Sequence, residues 1–506
     1  MVKKIAKNNI NITKTAIEKN KNLYYNVIYN DKWHYGVNME NSLKDVKNVQ
    51  IAYIGGGSRA WAHNLMNDLA LDEEIGGDVR LYDIDLEGAK INEKIGNALS
   101  AREDIKGKWR YKVYETIGEA LTGADFVVIS ILPGTFDEMD SDVHLPEEYG
   151  IYQPVGDSTG PGGIIRALRC LPMFRDFALA VKEYCPNAWV INFTNPMSAC
   201  VKALYKTFPE IKAFGCCHEV FGTQKLLSKI LAEKYGVTAT RDEIRTNIVG
   251  VNHFTFLTEA KYKGMDLIPI YDAYIDEHPN GLEQSVEAKH WANGAYVTTE
   301  LVKFTLFKRY GAIAAAGDRH LAEFCPGKWF LESKEMVEDK YGFSLTTVNW
   351  RKLELEERKQ KARDYYNGKP FELRNTGEET VRQIKALLGL GDFVTNVNIP
   401  NVGQVENNPY GAIVETNAFF SGDSVKPVHA GSVPTALNAL IMRIIEEQET
   451  VVDAALSGDY EKAFVAFLNN PNMCLNEEKA RELFDRMLEK TKKYLPYYEA
   501  YVQKRQ

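Results

Sequence analysis

The stretch Phe214–Val220 reads Phe-Gly-Cys-Cys-His-Glu-Val and sets a thiol, an imidazole and a carboxylate side by side. A second signature, Gly250-Val251-Asn252-His253-Phe254, follows further along the chain. A thiolate and an imidazole from two separate elements can hold a divalent ion while leaving coordination positions open. Open positions suit a substrate with neighbouring hydroxyls. A buried cysteine pair beside a hydrogen-bonded core histidine is the other reading of the same residues.

The elements that must position these groups are legible upstream. Val49–Ile54 is a short β-prone run ending in Gly55-Gly56-Gly57-Ser58-Arg59, and helical spacing follows over Ala60–Ala70. After Gly76-Gly77, the run Val79–Asp85 reads as a second strand ending in acid. Strand, glycine turn, helix, strand and acid is the dinucleotide-binding order. Glycines let the backbone approach a pyrophosphate, and the helix N-terminus receives its charge. Asp83 is placed to accept from the adenosine ribose hydroxyls and to repel a 2′-phosphate, which predicts NAD rather than NADP.

The alternation continues, with a helix over Thr116–Leu121 and a buried strand over Ala124–Ile131, ended by Leu132-Pro133-Gly134. A long helix spans Ile164–Tyr184, with Pro172 as a kink or break. A strand at Trp189–Phe193 leads into Thr194-Asn195-Pro196, a helix covers Met197–Thr207, and a short strand at Ile211–Gly215 delivers Cys216. The loop 155–163, Val-Gly-Asp-Ser-Thr-Gly-Pro-Gly-Gly, carries Asp157 and is glycine-rich enough to lie over a ligand. Beyond residue 245 the pattern is mixed. Asn247–Val251 and Phe254–Tyr262 read as strands broken at Asn252-His253, Gly281–Tyr310 as largely helical, and Lys352–Arg363 as a solvated charged helix. Val394–Ile399 and Ala412–Thr416 read as strands, Thr435–Asp453 and Glu477–Tyr494 as helices.

The expected fold is therefore α/β: a polar arm over 1–48 with one short strand, a Rossmann-like parallel-sheet domain over 49–245, and a mixed α+β catalytic and oligomerisation domain over 246–506, in the manner of lactate and malate dehydrogenases. The 506 residues include 45% hydrophobic and 26% charged side chains, as in a soluble globular protein. A net charge of -8 lacks the basic surface of a nucleic-acid binder. Seven cysteines, an odd number, fit reduced thiols better than a disulfide framework. No run approaches the eighteen apolar residues of a membrane span, and the Lys/Asn-rich start has no signal-peptide core. No nucleic-acid or membrane partner and a cytoplasmic location are expected.

Taken together, Ile54-Gly-Gly-Gly-Ser58, Asp83-Ile-Asp85, Ile131-Leu-Pro-Gly134, Gly160-Pro-Gly-Gly163, Phe193-Thr-Asn-Pro196, Cys217-His-Glu-Val220 and Asn252-His253 resemble glycoside hydrolase family 4, the NAD- and metal-dependent glycosidases. The resemblance runs from about Val49 to the last helices. Gly-Cys-Cys-His-Glu-Val-Phe-Gly-Thr-Gln (215–224) and Ala-Gly-Asp-Arg-His-Leu-Ala-Glu-Phe (316–324) resemble its alpha-galacturonidase subgroup.

That resemblance implies a redox-assisted elimination. NAD+ takes hydride from carbon 3 of the sugar, a base removes the acidified proton on carbon 2, a general acid assists the leaving oxygen, water adds, and the hydride returns. It implies Cys217, not Cys216, and His253 as ligands of a divalent metal, Mn2+ in most of the family, although a Cys-His pair by itself favours zinc. Gly55, Gly56, Gly57, Ser58, Arg59, Asp83, Ile131 and Pro133 are expected along the cofactor, and Asn195 and Asp157 on the substrate. His218 is expected as proton donor, and Asp318 as base with Tyr310 and His320 as alternatives. Arg319 is expected to read the carboxylate of a galacturonide, or else to pair with Asp318 or Glu323. A sugar substrate and a homodimer or homotetramer are implied. A glycosidase of the same family acting on a neutral or other uronic alpha-hexoside is one alternative; a plain dehydrogenase and a non-catalytic NAD-binding regulator are the others, and neither of these two requires the paired Cys217 and His253 signatures.

Overall fold

A computed structural model describes residues 45–283, 298–345 and 347–505. The first half alternates strand and helix: β1 (Val49–Ile54), α1 (Trp61–Leu71), β2 (Gly76–Tyr82), α2 (Leu86–Ser100), β3 (Lys108–Val113), α3 (Ile117–Leu121), β4 (Phe126–Ile129), α4 (Phe136–His144), α5 (Gly160–Tyr184), β5 (Trp189–Asn192), α6 (Met197–Thr207), β6 (Lys212–Gly215) and α7 (Glu219–Tyr235). The second half is mixed: β7 (Ile244–Val251), β8 (Phe254–Tyr262), β9 (Met265–Asp266), α8 (Ile268–Glu277), α9 (Leu301–Tyr310), β10 (Ile313–Ala314), α10 (Asp318–Phe324), α11 (Lys334–Tyr341), α12 (Val348–Tyr366), α13 (Thr380–Leu387), β11 (Phe393–Pro400), β12 (Ile413–Ser421), β13 (Ser424–Pro427), α14 (Thr435–Ser457), α15 (Tyr460–Asn469), α16 (Glu477–Thr491) and α17 (Tyr498–Arg505).

Strands β1 to β6 form a parallel sheet in the order β6-β5-β4-β1-β2-β3. This is the doubly wound Rossmann order, whose strand direction of travel reverses between β1 and β4 and opens a ligand crevice at the carboxyl ends. The apolar run of β1 has both faces covered, as a central parallel strand requires. Ala52 and Ile54 join a core with α5, α6 and α14 to α16, while Val49, Ile51 and Tyr53 join another with α1, α2 and α13. Pro172 does not break α5, which runs unbroken from Gly160 to Tyr184.

The second half is not a separate body. Strands β11, β12 and β13 add antiparallel to β6 and complete a nine-stranded mixed sheet. The parts expected on either side of 245/246 thus share one sheet, and residues from Val46 onward form one compact unit. Strand β3, not among the expected elements, is an edge strand whose alternating residues bury Trp109 and Tyr111. A second sheet, β10-β8-β7 with β9 on β8, carries the hairpin that presents His253. Asn252 and His253 form its turn, with Val251 opposite Phe254, and His253 adopts φ 65°. Helix is present at Leu301–Tyr310, but 281–283 and 298–300 are not helical, and 284–297, like the arm at 1–44, lies outside the described residues.

Candidate active site

The glycine turn after β1 is shaped for close backbone approach. Gly55 takes φ 98°, and a Cβ there would lie 2.0 Å from the Ser130 carbonyl oxygen at the end of β4. The Asp83 carboxylate accepts from the Gly57 N–H at 2.7 Å and the Asp85 N–H at 2.8 Å, so the acid at the tip of β2 also pins the turn. Burial pushes its carboxyl up, against the lowering effect of those amides. Arg59 pairs with Asp85 at 2.6 Å, and Asn92 donates to the carbonyls of Gly56 and Ser58. Across the crevice, Ile131 N–H donates to the Thr194 hydroxyl, and Arg169 Nε donates to the Pro133 carbonyl at 2.8 Å. Gly55, Gly56, Gly57, Ser58, Arg59, Asp83, Ile131 and Pro133 therefore lie on the turn and strand ends that frame one crevice.

The side chains with metal-binding chemistry gather from three later segments. Ligand atoms of Asp157, His253 and His320 lie within 4.8 Å of one another. Asp157 comes from the loop before α5, His253 from the β7–β8 turn and His320 from α10. The two imidazoles stack with centroids 3.8 Å apart. Ser158 bridges the group, its hydroxyl 2.8 Å from Asp157 Oδ1 and 3.0 Å from His253 Nδ1. Burial lowers His253 to about 3, leaving a neutral imidazole able to act as a ligand. Burial raises Asp157, but His253, Arg166, His320 and Arg351 outweigh it and hold the carboxyl well below its usual range. The substrate candidate Asn195 donates to Asp157 Oδ2 at 3.3 Å, and its own Oδ1 is buried with no partner among the described residues. Such an orphaned acceptor fits a hydroxyl donor from a bound sugar.

Cys217 is not part of the Asp157, His253 and His320 group; its thiol neighbours Asn252, which precedes His253 and donates through Nδ2 to Glu415 Oε2 at 3.3 Å. Burial, with Glu415 and Glu219 nearby, raises this thiol well above its usual value, so metal binding there must displace a proton. Cys216 points elsewhere and donates to Gln383 Oε1 at 3.2 Å. His218 lies 3.2 Å from Glu378 Oε1, which raises it above the ordinary imidazole value despite burial, and its ring sits 6.0 Å from that of Trp61. A protonated imidazole so held is suited to donate to a leaving oxygen.

Two expected residues are turned away from this chemistry. Asp318 is fully buried, and its oxygens accept from the N–H groups of Val302 at 3.1 Å and Lys303 at 3.0 Å, so it secures the start of α9 rather than facing the cluster. Arg319 donates to the Pro154 carbonyl at 2.5 Å, which places its guanidinium on the loop backbone. Of the alternatives for the base, His320 enters the cluster, while Tyr310 closes the last turn of α9. Burial opposes the charge on His320, but Glu219 Oε1 at 3.4 Å raises it overall. Sequence reasoning missed Arg166, whose Nε donates to the Asn195 carbonyl at 3.0 Å, and gave no role to Glu219, the carboxylate of the Cys-His-Glu run, whose Oε2 accepts from Gly317 N–H at 2.7 Å. Arg166 follows the quoted Gly160–Gly163 motif, and Glu219 lies inside the quoted Cys217–Val220 motif. Glu378 carries no local signal.

A Rossmann crevice bordered by an imidazole and carboxylate cluster defines an enzyme of the nucleotide-dependent type. Residues 50–233 match the Family 4 glycosyl hydrolase model and residues 248–473 match the Family 4 glycosyl hydrolase C-terminal domain; the chain belongs to this family. It is 58% identical over 452 residues to an alpha-galacturonidase of Thermoanaerobacterium saccharolyticum, covering 89% of this chain and 97% of the relative. The solved structure of lplD from Bacillus subtilis is 47% identical, with a TM-score of 0.82, covering 87% of this chain and 100% of that one. A 6-phospho-alpha-glucosidase from gut microorganisms, solved in complex with NAD and Mn2+, shares the fold at 20% identity and a TM-score of 0.75, covering 89% of this chain and 99% of that one.

Proposed function

We propose that this chain hydrolyses alpha-galacturonides with NAD+ and a divalent ion, most suitably Mn2+. The observation that carries the chemistry is the convergence of Asp157, His253 and His320 at the carboxyl edge of the sheet that bears the Gly55–Arg59 turn. The substrate class follows the activity of the relative that is 58% identical. When bound, NAD+ supplies a hydride acceptor for carbon 3 and the metal a Lewis acid for oxygens 2 and 3. His253 would hold the metal, with Cys217 or Asp157 as the second donor, and that leaves the His320 ring free to act on the substrate. Asn195 and Asp157 orient the sugar hydroxyls. His218, held by Glu378, gives its proton to the departing glycosidic oxygen. His320, held by Glu219, is the group in reach of the carbon 2 proton, and it replaces Asp318 in that role. The substrate is a small sugar derivative, the enzyme works in the cytoplasm, where its seven free thiols stay reduced, and it assembles as a homodimer or homotetramer.

The test uses an aryl alpha-galacturonide with NAD+, Mn2+ and thiol reductant, following aryl release and the NADH absorbance together. Release without net NADH is expected, because the hydride returns within each turnover. Stoichiometric NADH would instead mark a plain dehydrogenase, and silence in both channels a non-catalytic protein. A faster reaction on the alpha-galactoside would move the substrate to a neutral sugar.

A further inference from the structure

We infer that Arg319 and Glu323 form a main-chain clamp on the loop Pro154–Gly156, and that this clamp positions Asp157 and, through Ser158, His253. The two residues stand four apart on α10 and so share a face of the helix. Arg319 Nη2 donates to the Pro154 carbonyl at 2.5 Å. One oxygen of Glu323, Oε1, accepts from Val155 N–H at 2.6 Å and Gly156 N–H at 2.8 Å. Two consecutive inward amides have no backbone acceptor among the described residues, and burying them unpaired would be costly. Glu323 is fully buried and Arg319 is 6% exposed.

The clamp is itself anchored. Asp318 ties α10 to the start of α9, Gly317 N–H donates to Glu219, and Asn472 Nδ2 donates to the Glu323 carbonyl at 2.7 Å. The far end of the loop is held where Asn470 Nδ2 meets the Thr159 hydroxyl at 3.2 Å. Between the two anchorages lie only Asp157 and Ser158, whose side chains meet His253 and Asn195. His320 projects from the same short helix into the cluster. One rigid element thus sets both His320 and the loop that faces it. Supporting groups of this kind orient ligands that do not themselves touch them.

This inference rests on the reading that Asp157 and His253 line the active site. Glu323→Ala and Arg319→Met are compared with Asp157→Asn by Mn2+ binding, NAD+ binding and kcat/KM on the aryl alpha-galacturonide. Glu323→Ala is expected to weaken Mn2+ and lower kcat/KM by about tenfold or more, the scale of a lost supporting group, with NAD+ affinity unchanged. Glu323→Gln restores both, because it keeps a carbonyl oxygen for the two amides, and the other oxygen of Glu323 has no hydrogen-bond partner among the described residues. Wild-type Mn2+ affinity and kcat/KM in folded Glu323→Ala, while Asp157→Asn loses them, overturns the clamp. Parallel loss of NAD+ and Mn2+ binding also overturns it, since that marks general loosening. If Glu323→Ala does not fold, Arg319→Met is judged on the same readouts. An Asp157→Asn variant with full metal affinity and activity removes the underlying site reading, and the clamp with it.

Discussion

At the scale of single residues, adjacent cysteines have opposite fates. Cys216 donates to Gln383, and a serine hydroxyl can replace that bond. Cys217 sits against Asn252 beside His253, where a soft thiolate is replaced poorly by a hydroxyl. Cys217→Ser is expected to abolish hydrolysis and weaken Mn2+ binding, while Cys216→Ser keeps both; equal metal loss in the two would show the wrong thiol was chosen. With Arg319 committed to the loop, the guanidiniums acting on Asp157 are Arg166, whose Nε serves the Asn195 carbonyl, and Arg351, which has no hydrogen-bond or ion-pair partner among the described residues. Arg351→Met is therefore expected to lower kcat/KM for an aryl alpha-galacturonide by about tenfold or more, the scale of a lost charge-assisted bond, with little effect on the galactoside. Equal falls on both substrates would take Arg351 out of carboxylate recognition.

At the scale of elements, Asp83 links the tip of β2 to the glycine turn. Its oxygens already hold two backbone amides, yet a carboxylate has further lone pairs for ribose hydroxyls. Asp83→Ala should weaken NAD+ by about tenfold or more, roughly 1.4 kcal/mol, and narrow its preference over NADP+. Wild-type protein that binds NADP+ as tightly as NAD+ would separate Asp83 from the ribose. Within α14, Glu447 is buried against Asn470 Nδ2 at 2.8 Å, and burial raises its carboxyl to about 8 from 4.5. The folded chain therefore keeps a proton that the unfolded chain releases. This group's contribution to stability is full below about pH 4.5 and is lost as pH rises to about 8. Glu447→Gln should accordingly flatten the decline of Tm between pH 5 and 8; an unchanged decline in thermal melts would mean Glu447 is already ionised.

At the scale of the molecule, the sheet joins the two halves. Antiparallel β11 pairs with β6, and Asn396 of β11 donates to the Cys217 carbonyl and to Glu415 of β12. The backbone carbonyl of Cys217 thus depends on a strand almost two hundred residues downstream. The compact unit begins at Val46 and the family match at residue 50. A chain lacking residues 1–44 should bind NAD+ and Mn2+ and turn over as the full chain does. Loss of turnover in a truncated chain that still binds both would show that those residues complete the site.

The sequence by itself determined the nucleotide turn, the strand-helix alternation and the placing of Asp157, Asn195, His218 and His253 at strand ends or turns, because glycine geometry and buried apolar runs are local constraints. It could not tell which of Asp318 and His320 enters the cluster. Two positions on a helix project roughly 200° apart, so one faces α9 and the other the cluster, and only packing decides which. The same helical geometry sends Arg319 and Glu323 together to the loop at 154–156. Glu378 reaches His218 across 160 residues through the placement of α13 against the sheet, a contact made by tertiary packing alone.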